Sequence, residues 1–354
     1  MTQTFNRAAE RFLEPRTPSK TLTFGSMPHS YDGSSYYRIW LPFKHLSENS
    51  LHVVGVAAPD GGQITPQMVE GIDVLTLQRP AGRQGMQMLE RLTGQTRLVY
   101  EVDDDMLQVD PAGLPHLYDE KVRETIRRCL RLCDAVTTTN EYLAETVRPF
   151  NDNVFLLPNF VKAGMLTLAR PAKPSPNLVT VGWAGGTSHL VDMVDVQDVL
   201  RDVVLDNDNA ELHFVGFDFS PLLGGLRSRC RQTNWSQDVG EYYKKVDFDI
   251  AIAPSADIPF NRSKTAIRAL EMAALGIPIV ASNRLPYSEF VIDGKTGFLV
   301  DTPDEWRDRL NELIHDPAMR VEMGAAAREQ AAEHTIEGNW QLWEAAYENV
   351  AGQS

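Results

Sequence analysis

The sequence contains few cysteines and no long apolar run. Its three cysteines in 354 residues cannot form a disulfide framework, and we interpret them as reduced packing residues of a cytoplasmic protein. No segment approaches the ~20 consecutive apolar residues that a membrane-spanning helix needs. The start of the chain, MTQTFNRAAERFLEPRTPSK, has no apolar core, so we expect neither a signal peptide nor integral membrane association.

Positive charge is also scarce. The 34 lysines and arginines stand against 48 aspartates and glutamates, which gives a formal net charge of −14. Such a surface repels polyanions at long range, which argues against capture of DNA or of an anionic membrane by bulk electrostatics. With 43% hydrophobic and 23% charged residues the composition is that of a globular protein, and the length predicts about two domains.

Short apolar runs alternate with amphipathic segments along most of the chain. The predicted strands are KTLTFGSM, LHVVGVAA, IDVLTL, RLVYEVD, DAVTTTN and NVFLLPN, followed in the second half by LVTVGWAG, ELHFVGF, FDIAIAP, IPIVAS and GFLV. Strands that alternate with helices form parallel sheets covered on both faces. We therefore predict an α/β protein with two doubly wound, Rossmann-like domains that face a cleft, where ligands sit beyond the carboxyl ends of the strands.

A proline-rich stretch separates the two predicted domains. The segment Ala169–Asn177, ARPAKPSPN, carries three prolines and is the best candidate for a linker. We predict an N-terminal domain over residues 1–170 and a C-terminal domain over residues 171–336.

The segment FNRSKTAIRALEMAALGIPIVAS, residues 260–282, contains the most informative pattern of charges. Ser263 is predicted to cap a helix that Gly276 ends. Lys264, Arg268 and Glu271 then share one helix face, because they are spaced at i, i+4 and i+7. Two cations near the positive end of a helix suit a pyrophosphate, and a carboxylate one turn further in suits a ribose diol. The alternative is a solvated face on which a cation pairs with Glu271.

The sequence around this helix resembles the C-terminal domain of GT-B glycosyltransferases close to family four. The resemblance is carried by LEMAALGIPIVAS, by PYSEFV and by the loop DGKTGFLV at residues 293–300. In that family a Glu-x7-Glu motif faces the donor; Glu271 matches its second glutamate, and Ser263 stands in place of the first. The resemblance implies a nucleotide-diphosphate sugar as donor, and we assign Lys264 as the catalytic cation because its charge can stabilise the departing phosphate. It also implies donor contacts from Ser263, Lys264, Thr265, Arg268 and Glu271.

The end of the chain resembles the closing helices of the same family. The segment RVEMGAAAREQAAEHTIEGNWQLWEAAY carries this resemblance. It implies that residues 337–354 form a helix that returns to the N-terminal domain.

A glycine pair follows the first predicted strand of the second half. Gly185 and Gly186, in VGWAGGTSHLVD, allow the close backbone approach that a phosphate needs. The family has an arginine and a lysine hereabouts, whereas this chain has Trp183 and His189. We expect both glycines and His189 to contact the donor phosphates, with His189 donating one hydrogen bond. A structural histidine at a helix start is the alternative.

In the N-terminal half, SYDGSSYYRIWLPFKHL resembles the glycine-rich loop of the family. Gly33 and Ser34 are expected to offer backbone amides to the donor phosphate or to admit the acceptor. Arg38, in the following helix, is expected on the acceptor side. A turn with a merely structural glycine is the alternative.

Three aspartates follow a predicted strand in YEVDDDMLQVD. Asp-x-Asp after a strand is the metal signature of the other glycosyltransferase fold, GT-A, and Asp103, Asp104 and Asp105 are plausible Mg²⁺ or Mn²⁺ ligands. Because the rest of the chain resembles GT-B enzymes, which usually need no catalytic metal, we expect no metal site and assign Asp103 to the acceptor side. His116, in GLPHLYD, is a further acceptor-side candidate.

The resemblance implies an enzyme that transfers a sugar from a nucleotide-diphosphate donor to an acceptor, with retention of the anomeric configuration. The donor is a co-substrate, and no other cofactor is expected. No motif identifies the acceptor, so a glycan, a lipid, a small molecule, a protein and a modified nucleobase all stay open. Two alternatives are a GT-B-like sugar-nucleotide epimerase and a non-catalytic nucleotide-sugar-binding subunit.

Overall fold

The computed structural model describes residues 20–57, 64–109, 119–169, 171, 177–236 and 238–353. It divides into two compact units: unit 1 runs to Phe160 and resumes at Ile336, and unit 2 spans Val161–Thr335. The first boundary lies earlier in the chain than predicted. Val161 pairs with Thr335 within unit 2, and the 3₁₀ turn Ala163–Thr167 packs against helices of that unit. Most of the predicted proline-rich linker lies outside the described residues.

Unit 1 contains a six-stranded parallel sheet. Its strands are β1 Thr23–Met27, β2 Val53–Val56, β3 Val74–Gln78, β4 Arg97–Glu101, β5 Ala135–Thr138 and β6 Val154–Leu156. Their order across the sheet is β2-β1-β3-β4-β5-β6. The winding direction therefore reverses between β1 and β3, and such a switch point leaves a crevice at the carboxyl ends of the strands.

Helices connect the strands of unit 1. They are α1 Gly33–Ser35, α2 Leu41–Asn49, α3 Gly82–Leu92, α4 Glu120–Leu132 and α5 Glu141–Val147, with a π-helical turn at Tyr36–Trp40 and a 3₁₀ turn at Pro66–Val69. Helix α4 illustrates why these segments are helical. Asp119 caps it by accepting a hydrogen bond from the backbone of Val122. Ile126, Cys129 and Leu130 then fall on one face at i, i+3 and i+4, and that face is buried.

Unit 2 contains a second six-stranded parallel sheet. Its strands are β7 Val179–Gly185, β8 Ala210–Gly216, β9 Cys230–Thr233, β10 Ile250–Ala253, β11 Ile279–Ser282 and β12 Gly297–Val300. Their order is β12-β11-β10-β7-β8-β9. The switch point of this sheet therefore lies between β7 and β10, so the segments that follow these two strands are brought together.

The helices of unit 2 pack closely on one another. They are α6 Leu190–Asp206, α7 Val239–Tyr243, α8 Pro259–Arg262, α9 Ile267–Ala274, α10 Tyr287–Phe290, α11 Pro303–His315 and α12 Pro317–Ala332, with 3₁₀ turns at Thr187–His189 and Ser220–Arg229. A Cβ on Gly324 of α12 would lie 2.3 Å from the carbonyl oxygen of Gly276. The glycine at position 324 therefore allows α12 to approach the end of α9.

Two final helices return to unit 1. They are α13 Ile336–Asn339 and α14 Gln341–Ala351. Tyr347 of α14 packs its ring against Phe24 and Phe43, with centroid separations of 5.5 and 5.6 Å. Nε2 of His52 lies 3.0 Å from the carboxylate of Glu348. The end of the chain is therefore part of the packing of unit 1.

The helix predicted to start at Ser263 starts later, at Ile267, and a separate short helix ends just before Ser263. Helix α8 begins with Pro259 in its first turn and ends at Arg262, and the hydroxyl of Ser263 donates a hydrogen bond to the carbonyl of Phe260 at 2.7 Å. Helix α9 begins only at Ile267. The prediction that Ser263 caps one continuous helix is wrong, because Pro259 starts a separate short helix that Ser263 closes. Lys264 consequently lies in the connection and not on the face that carries Arg268 and Glu271.

Arg38 is a structural residue of unit 1. Its side chain is 0% exposed, and it donates from Nε and Nη2 to the carboxylate of Glu101 at 2.6 and 3.1 Å. Nη1 donates to the carbonyl of Leu157 and to Asn159. The expectation that Arg38 meets an acceptor is therefore wrong for this structure, because its guanidinium is enclosed and bonded to groups from β4 and from the segment after β6.

Replacing Arg38 with alanine would leave the Glu101 carboxylate buried without its cation. We expect Arg38→Ala to lower the free energy of unfolding by about 3–5 kcal/mol, as measured by urea denaturation. Lys44→Ala is the matched control, because it removes an exposed pair with Glu48 and should cost less than about 1 kcal/mol. Equal effects of the two substitutions would contradict the structural role of Arg38.

Candidate functional site at the switch point of unit 2

The glycine pair after β7 lies at the switch point of the unit 2 sheet. Gly185 has φ +157°, and a Cβ at this position would lie 2.6 Å from Nη1 of Arg268. On the neighbouring strand, Gly216 has φ +109°, and its Cβ would lie 2.1 Å from the carbonyl oxygen of Gly185. A Cβ on Gly186 would meet open space. Side chains at Gly185 and Gly216 would therefore displace the backbone or the guanidinium from the end of the sheet.

His189 ends the 3₁₀ turn that follows the glycine pair. Its Nδ1 lies 2.7 Å from Oδ2 of Asp192, and its Nε2 lies 3.1 Å from Nη2 of Arg268. Burial, followed by the charges of Lys264 and Arg268, lowers the pKa of His189 to about 3. Because an arginine only donates, Nε2 is the acceptor and the proton of the neutral ring is on Nδ1. Both ring nitrogens thus have protein partners, and the expected hydrogen bond from His189 to a phosphate stays a prediction.

Asp192 joins two segments at the switch point. It lies in the first turn of α6 and is buried. Its Oδ1 accepts hydrogen bonds from the backbone of Ala256 at 2.8 Å and from the side chain of Asn261 at 2.6 Å. Burial alone raises the pKa of Asp192, but the hydrogen bond from His189 and the charge of Lys264 hold it below its ordinary value. The aspartate is therefore an anion that ties the segment after β10 to the start of α6.

Arg268, in the first turn of α9, lies against an aromatic ring. Its guanidinium carbon is 4.7 Å from the centroid of the Trp183 ring, and it also contacts the buried Tyr287. Trp183 lies in the segment where the family that the chain resembles has basic residues. The ring instead supplies a flat surface for the guanidinium, which is a favourable cation–π arrangement.

Lys264 lies near the same group of residues. Its Nζ is 5.1 Å from the centroid of the Phe260 ring, and its charge acts on both His189 and Asp192. Thr265 follows it in the connection between α8 and α9, whereas Ser263 is fully buried with its hydroxyl turned to the backbone of α8. Lys264 and Arg268 come from different local elements, and the charges of both act on His189.

Glu271 lies one turn further along α9 and is 8% exposed. Its carboxylate accepts a hydrogen bond from the hydroxyl of Tyr243, which belongs to α7. The alternative of a solvated surface pair is therefore wrong for Glu271. The carboxylate is enclosed, and a tyrosine determines its orientation.

A second group of polar side chains lies at the switch point of the unit 1 sheet. Ser34 donates from Oγ to Asp103 and accepts hydrogen bonds from Gln78 at 3.0 Å and from Arg79 at 3.1 Å. Arg79 has φ +49°, which is uncommon for a residue with a side chain. Gly33, the first residue of α1, has open space where a Cβ would stand. Ser34, from the segment after β1, and Asp103, from the segment after β4, are thus brought together beside the carboxyl end of β3.

The run of three aspartates is divided among different partners. Asp103 and Asp104 lie 3.5 and 3.7 Å from nitrogens of Arg79. Asp105 is buried and accepts hydrogen bonds from the backbone of Leu107 and from Gln108, and burial raises its pKa. Within the described residues, no group of three His, Cys, Asp or Glu side chains is arranged to hold a metal ion. His116 lies outside the described residues.

Sequence reasoning missed Asp192, Asn261 and Tyr243. The only local signal was the i, i+3 spacing of His189 and Asp192, which places both at the start of one helix. Asn261 and Tyr243 meet their partners through contacts between elements distant in sequence.

No helix in the part of the chain that the structure describes has the length and apolar character needed to cross a membrane.

Residues 199–330 match the family model described as Glycosyl transferases group 1. This segment lies within unit 2 and includes Lys264, Arg268 and Glu271. A relative named D-inositol 3-phosphate glycosyltransferase, from Paenarthrobacter aurescens (strain TC1), is 37% identical over 95 residues. The match covers 26% of this chain and 21% of the relative. The chain therefore matches about a fifth of the length of that relative.

Solved structures resemble the chain across both units. A glycosyltransferase from Rickettsia africae has a TM-score of 0.65 at 13% identity, over 95% of this chain and 100% of that one. Anabaena HepE in complex with UDP and glucose has a TM-score of 0.62 at 16% identity, over 91% of this chain and 98% of that one. At such identities the likeness shows the fold alone. The predicted GT-B fold class is confirmed.

The protonation state of His189 gives a testable prediction. Its pKa in the folded chain lies below its ordinary value of about 6.5, so the unfolded chain takes up the proton first as the pH falls. His189 therefore lowers the free energy of unfolding progressively as the pH falls below about 6.5. Above that pH its protonation has no effect on the free energy of unfolding. We expect histidine-selective ¹⁵N spectra to show His189 neutral with its proton on Nδ1 from about pH 8 to about pH 5. A midpoint within that interval would contradict the assignment.

Proposed function

We propose that this protein is a glycosyltransferase that moves a sugar from a nucleotide-diphosphate sugar to a hydroxyl of an acceptor. The observation that carries the proposal is that the charges of Lys264 and Arg268 both act on His189 beside a glycine-lined strand end, in the segment that matches the glycosyl transferases group 1 model. Such a site combines two cations, close backbone access and the switch-point position that doubly wound sheets use for ligands.

Unit 2 is proposed to bind the donor diphosphate. Gly186 leaves open space in which the phosphates can approach the backbone, Gly185 admits the Arg268 guanidinium beside it, and the start of the 17-residue α6 follows closely. Lys264 and Arg268 supply the positive charge that a diphosphate needs. In a partly enclosed site these charges interact with the phosphates more strongly than they would in water.

Glu271 is proposed to accept hydrogen bonds from the ribose hydroxyls of the donor. Its enclosure and its bond to Tyr243 fix the carboxylate before a ligand arrives. A carboxylate oxygen accepts more than one hydrogen bond, so the tyrosine leaves capacity for a hydroxyl. Ser263, in place of a first glutamate, offers no comparable group, because it is fully buried. Contacts to the donor sugar must therefore come from other residues.

The proposed reaction replaces one bond of the anomeric carbon by another. The bond to the β-phosphate oxygen breaks, the acceptor oxygen bonds to the same carbon, and the acceptor proton passes to a phosphate oxygen. Negative charge grows on the departing diphosphate, and preorganised cations stabilise that charge most in the transition state. We assign this role to Lys264 and Arg268. Retention of configuration is part of the proposal.

The acceptor is proposed to bind unit 1 near Ser34 and Asp103. Their hydroxyl and carboxylate oxygens, held by Gln78 and Arg79, are groups that hydrogen-bond to the hydroxyls of an acceptor. The acceptor named for the relative does not carry over, because the match spans about a fifth of that protein. The chemical class of the acceptor therefore stays open.

A thermal-shift panel of nucleotide sugars tests the function, starting with UDP-glucose because UDP and glucose are the ligands named for a structural neighbour. A ligand that binds only the folded state at a hundred times its Kd stabilises that state by about 2.7 kcal/mol. Product analysis with the best binder then separates three outcomes. Released or transferred sugar supports the proposal, an epimerised sugar nucleotide indicates an epimerase, and an unchanged donor indicates a binding subunit.

Lys264→Ala and Glu271→Ala should each weaken the binding of the nucleoside diphosphate. A charge-assisted hydrogen bond is worth about 1.5–3 kcal/mol, so we expect the Kd from isothermal titration to rise roughly ten- to a hundredfold. Lys264→Ala should also lower the turnover rate, because the charge it meets grows in the transition state. Lys121→Ala and Glu322→Ala, at exposed positions, are the matched controls. Unchanged affinity in folded Lys264 and Glu271 variants would refute the donor site.

Donor turnover should survive the removal of metal ions. Asp103 and Asp104 are paired with Arg79, and Asp105 is bonded within its own turn. We expect EDTA to leave most of the activity, measured as release of nucleoside diphosphate. Activity that vanishes with EDTA and returns with Mn²⁺ would show that the aspartate run binds a catalytic metal.

A further inference from the structure

A chain of hydrogen bonds connects a buried carboxylate to the guanidinium of the proposed donor site. Oδ2 of Asp192 lies 2.7 Å from Nδ1 of His189, and Nε2 of the same ring lies 3.1 Å from Nη2 of Arg268. The side chain of Asp192 is 3% exposed, so it is enclosed behind the histidine and not presented to a ligand. Asp192 can therefore influence a bound ligand only through other residues.

The guanidinium determines the direction of each hydrogen bond in this chain. Arg268 only donates, so Nε2 of His189 accepts and Nδ1 carries the proton that it donates to Asp192. The charged groups that face the ring are Asp192 from α6, Lys264 from the connection after α8, and Arg268 from α9. Two cations and burial oppose a second proton on the ring. Asp192 only accepts and Arg268 only donates, so both favour the neutral tautomer of His189 with its proton on Nδ1.

We infer that Asp192 and His189 are positioning residues that hold the Arg268 guanidinium in place for the donor phosphates. The inference rests on the proposed donor site. The ring of Trp183 lies 4.7 Å from the guanidinium carbon, and Gly185 lies so close that even a Cβ there would clash with it. A long side chain that is already fixed loses less conformational freedom when a ligand binds, which favours affinity.

Asp192→Asn keeps the shape of the side chain but reverses the direction of the hydrogen bonds. The amide oxygen still accepts from Ala256 and Asn261, whereas the amide nitrogen donates to Nδ1 of His189. The ring then carries its proton on Nε2, facing an N–H of Arg268, and two donors form no hydrogen bond. We expect the Kd for UDP to rise roughly tenfold. Asp198→Asn, at an exposed position on the same helix, should leave the Kd unchanged.

Arg268→Ala separates positioning from a structural role. We expect this substitution alone to raise the Kd for UDP roughly tenfold or more. If Asp192 acts through Arg268, then Asp192→Asn has no further effect once Arg268 is alanine. An equal loss in both backgrounds would mean that Asp192 acts only through the segment of Ala256 and Asn261, and would overturn the inference. Unchanged UDP binding in Arg268→Ala would instead refute the donor site itself.

The tautomer of His189 is a second measurement. It should change in Asp192→Asn if Asp192 positions the ring, and it should stay the same if Asp192 is only structural. Histidine-selective ¹⁵N spectra should show the proton on Nδ1 in the wild type and on Nε2 in Asp192→Asn. The same tautomer in both proteins would overturn the inference. If Asp192→Asn does not fold, His189→Ala replaces it in the cycle with Arg268→Ala. That variant removes the acceptor of the guanidinium and leaves the bonds of Asp192 to Ala256 and Asn261, so its loss of affinity should likewise depend on Arg268.

Discussion

The carboxylate of Asp192 accepts hydrogen bonds from three separate parts of unit 2: the turn after β7, the backbone after β10 and the side chain of Asn261. A buried anion without partners is costly, so the segments that supply its donors are held in one arrangement. That arrangement fixes the imidazole of His189 and, through it, the guanidinium of Arg268. The geometry of the proposed donor site therefore depends on a residue that a ligand does not touch.

Both units concentrate polar side chains at the switch points of their sheets, and the reason is topological. Where the winding reverses, the segments after two adjacent strands diverge to opposite faces and leave a crevice. In unit 2 the crevice holds cations beside glycines, which suits a phosphate. In unit 1 it holds Ser34, Gln78, Arg79 and Asp103 in one hydrogen-bonded group, with the backbone of Arg79 in an uncommon conformation. The two crevices thus offer different chemistry within one kind of fold.

The sequence predicted most of the sheets because buried parallel strands are apolar runs, and every predicted strand is present. Strand β9, Cys230–Thr233, has the sequence CRQT and was missed because it lacks such a run. The helix boundary at Ser263 was wrong because Pro259 starts a short helix of its own. Arg38 was misassigned because its partner Glu101 is distant in the chain. Spacing along a helix is visible in a sequence, whereas the partner of a buried charge is a property of the tertiary fold.

Two arginines, the buried Arg38 and the half-buried Arg268, show what distinguishes a structural cation from one available to an anion. Arg38 meets the carboxylate of Glu101 with two hydrogen bonds, so its charge is neutralised where it stands. Arg268 meets a neutral imidazole and the face of an indole ring, and within the described ranges no carboxylate lies within ion-pair distance of it. The carboxylate of Asp192 is bonded to the other nitrogen of that imidazole. A neutral acceptor orients a guanidinium without cancelling its charge, so Arg268 keeps the attraction for a phosphate that Arg38 has lost.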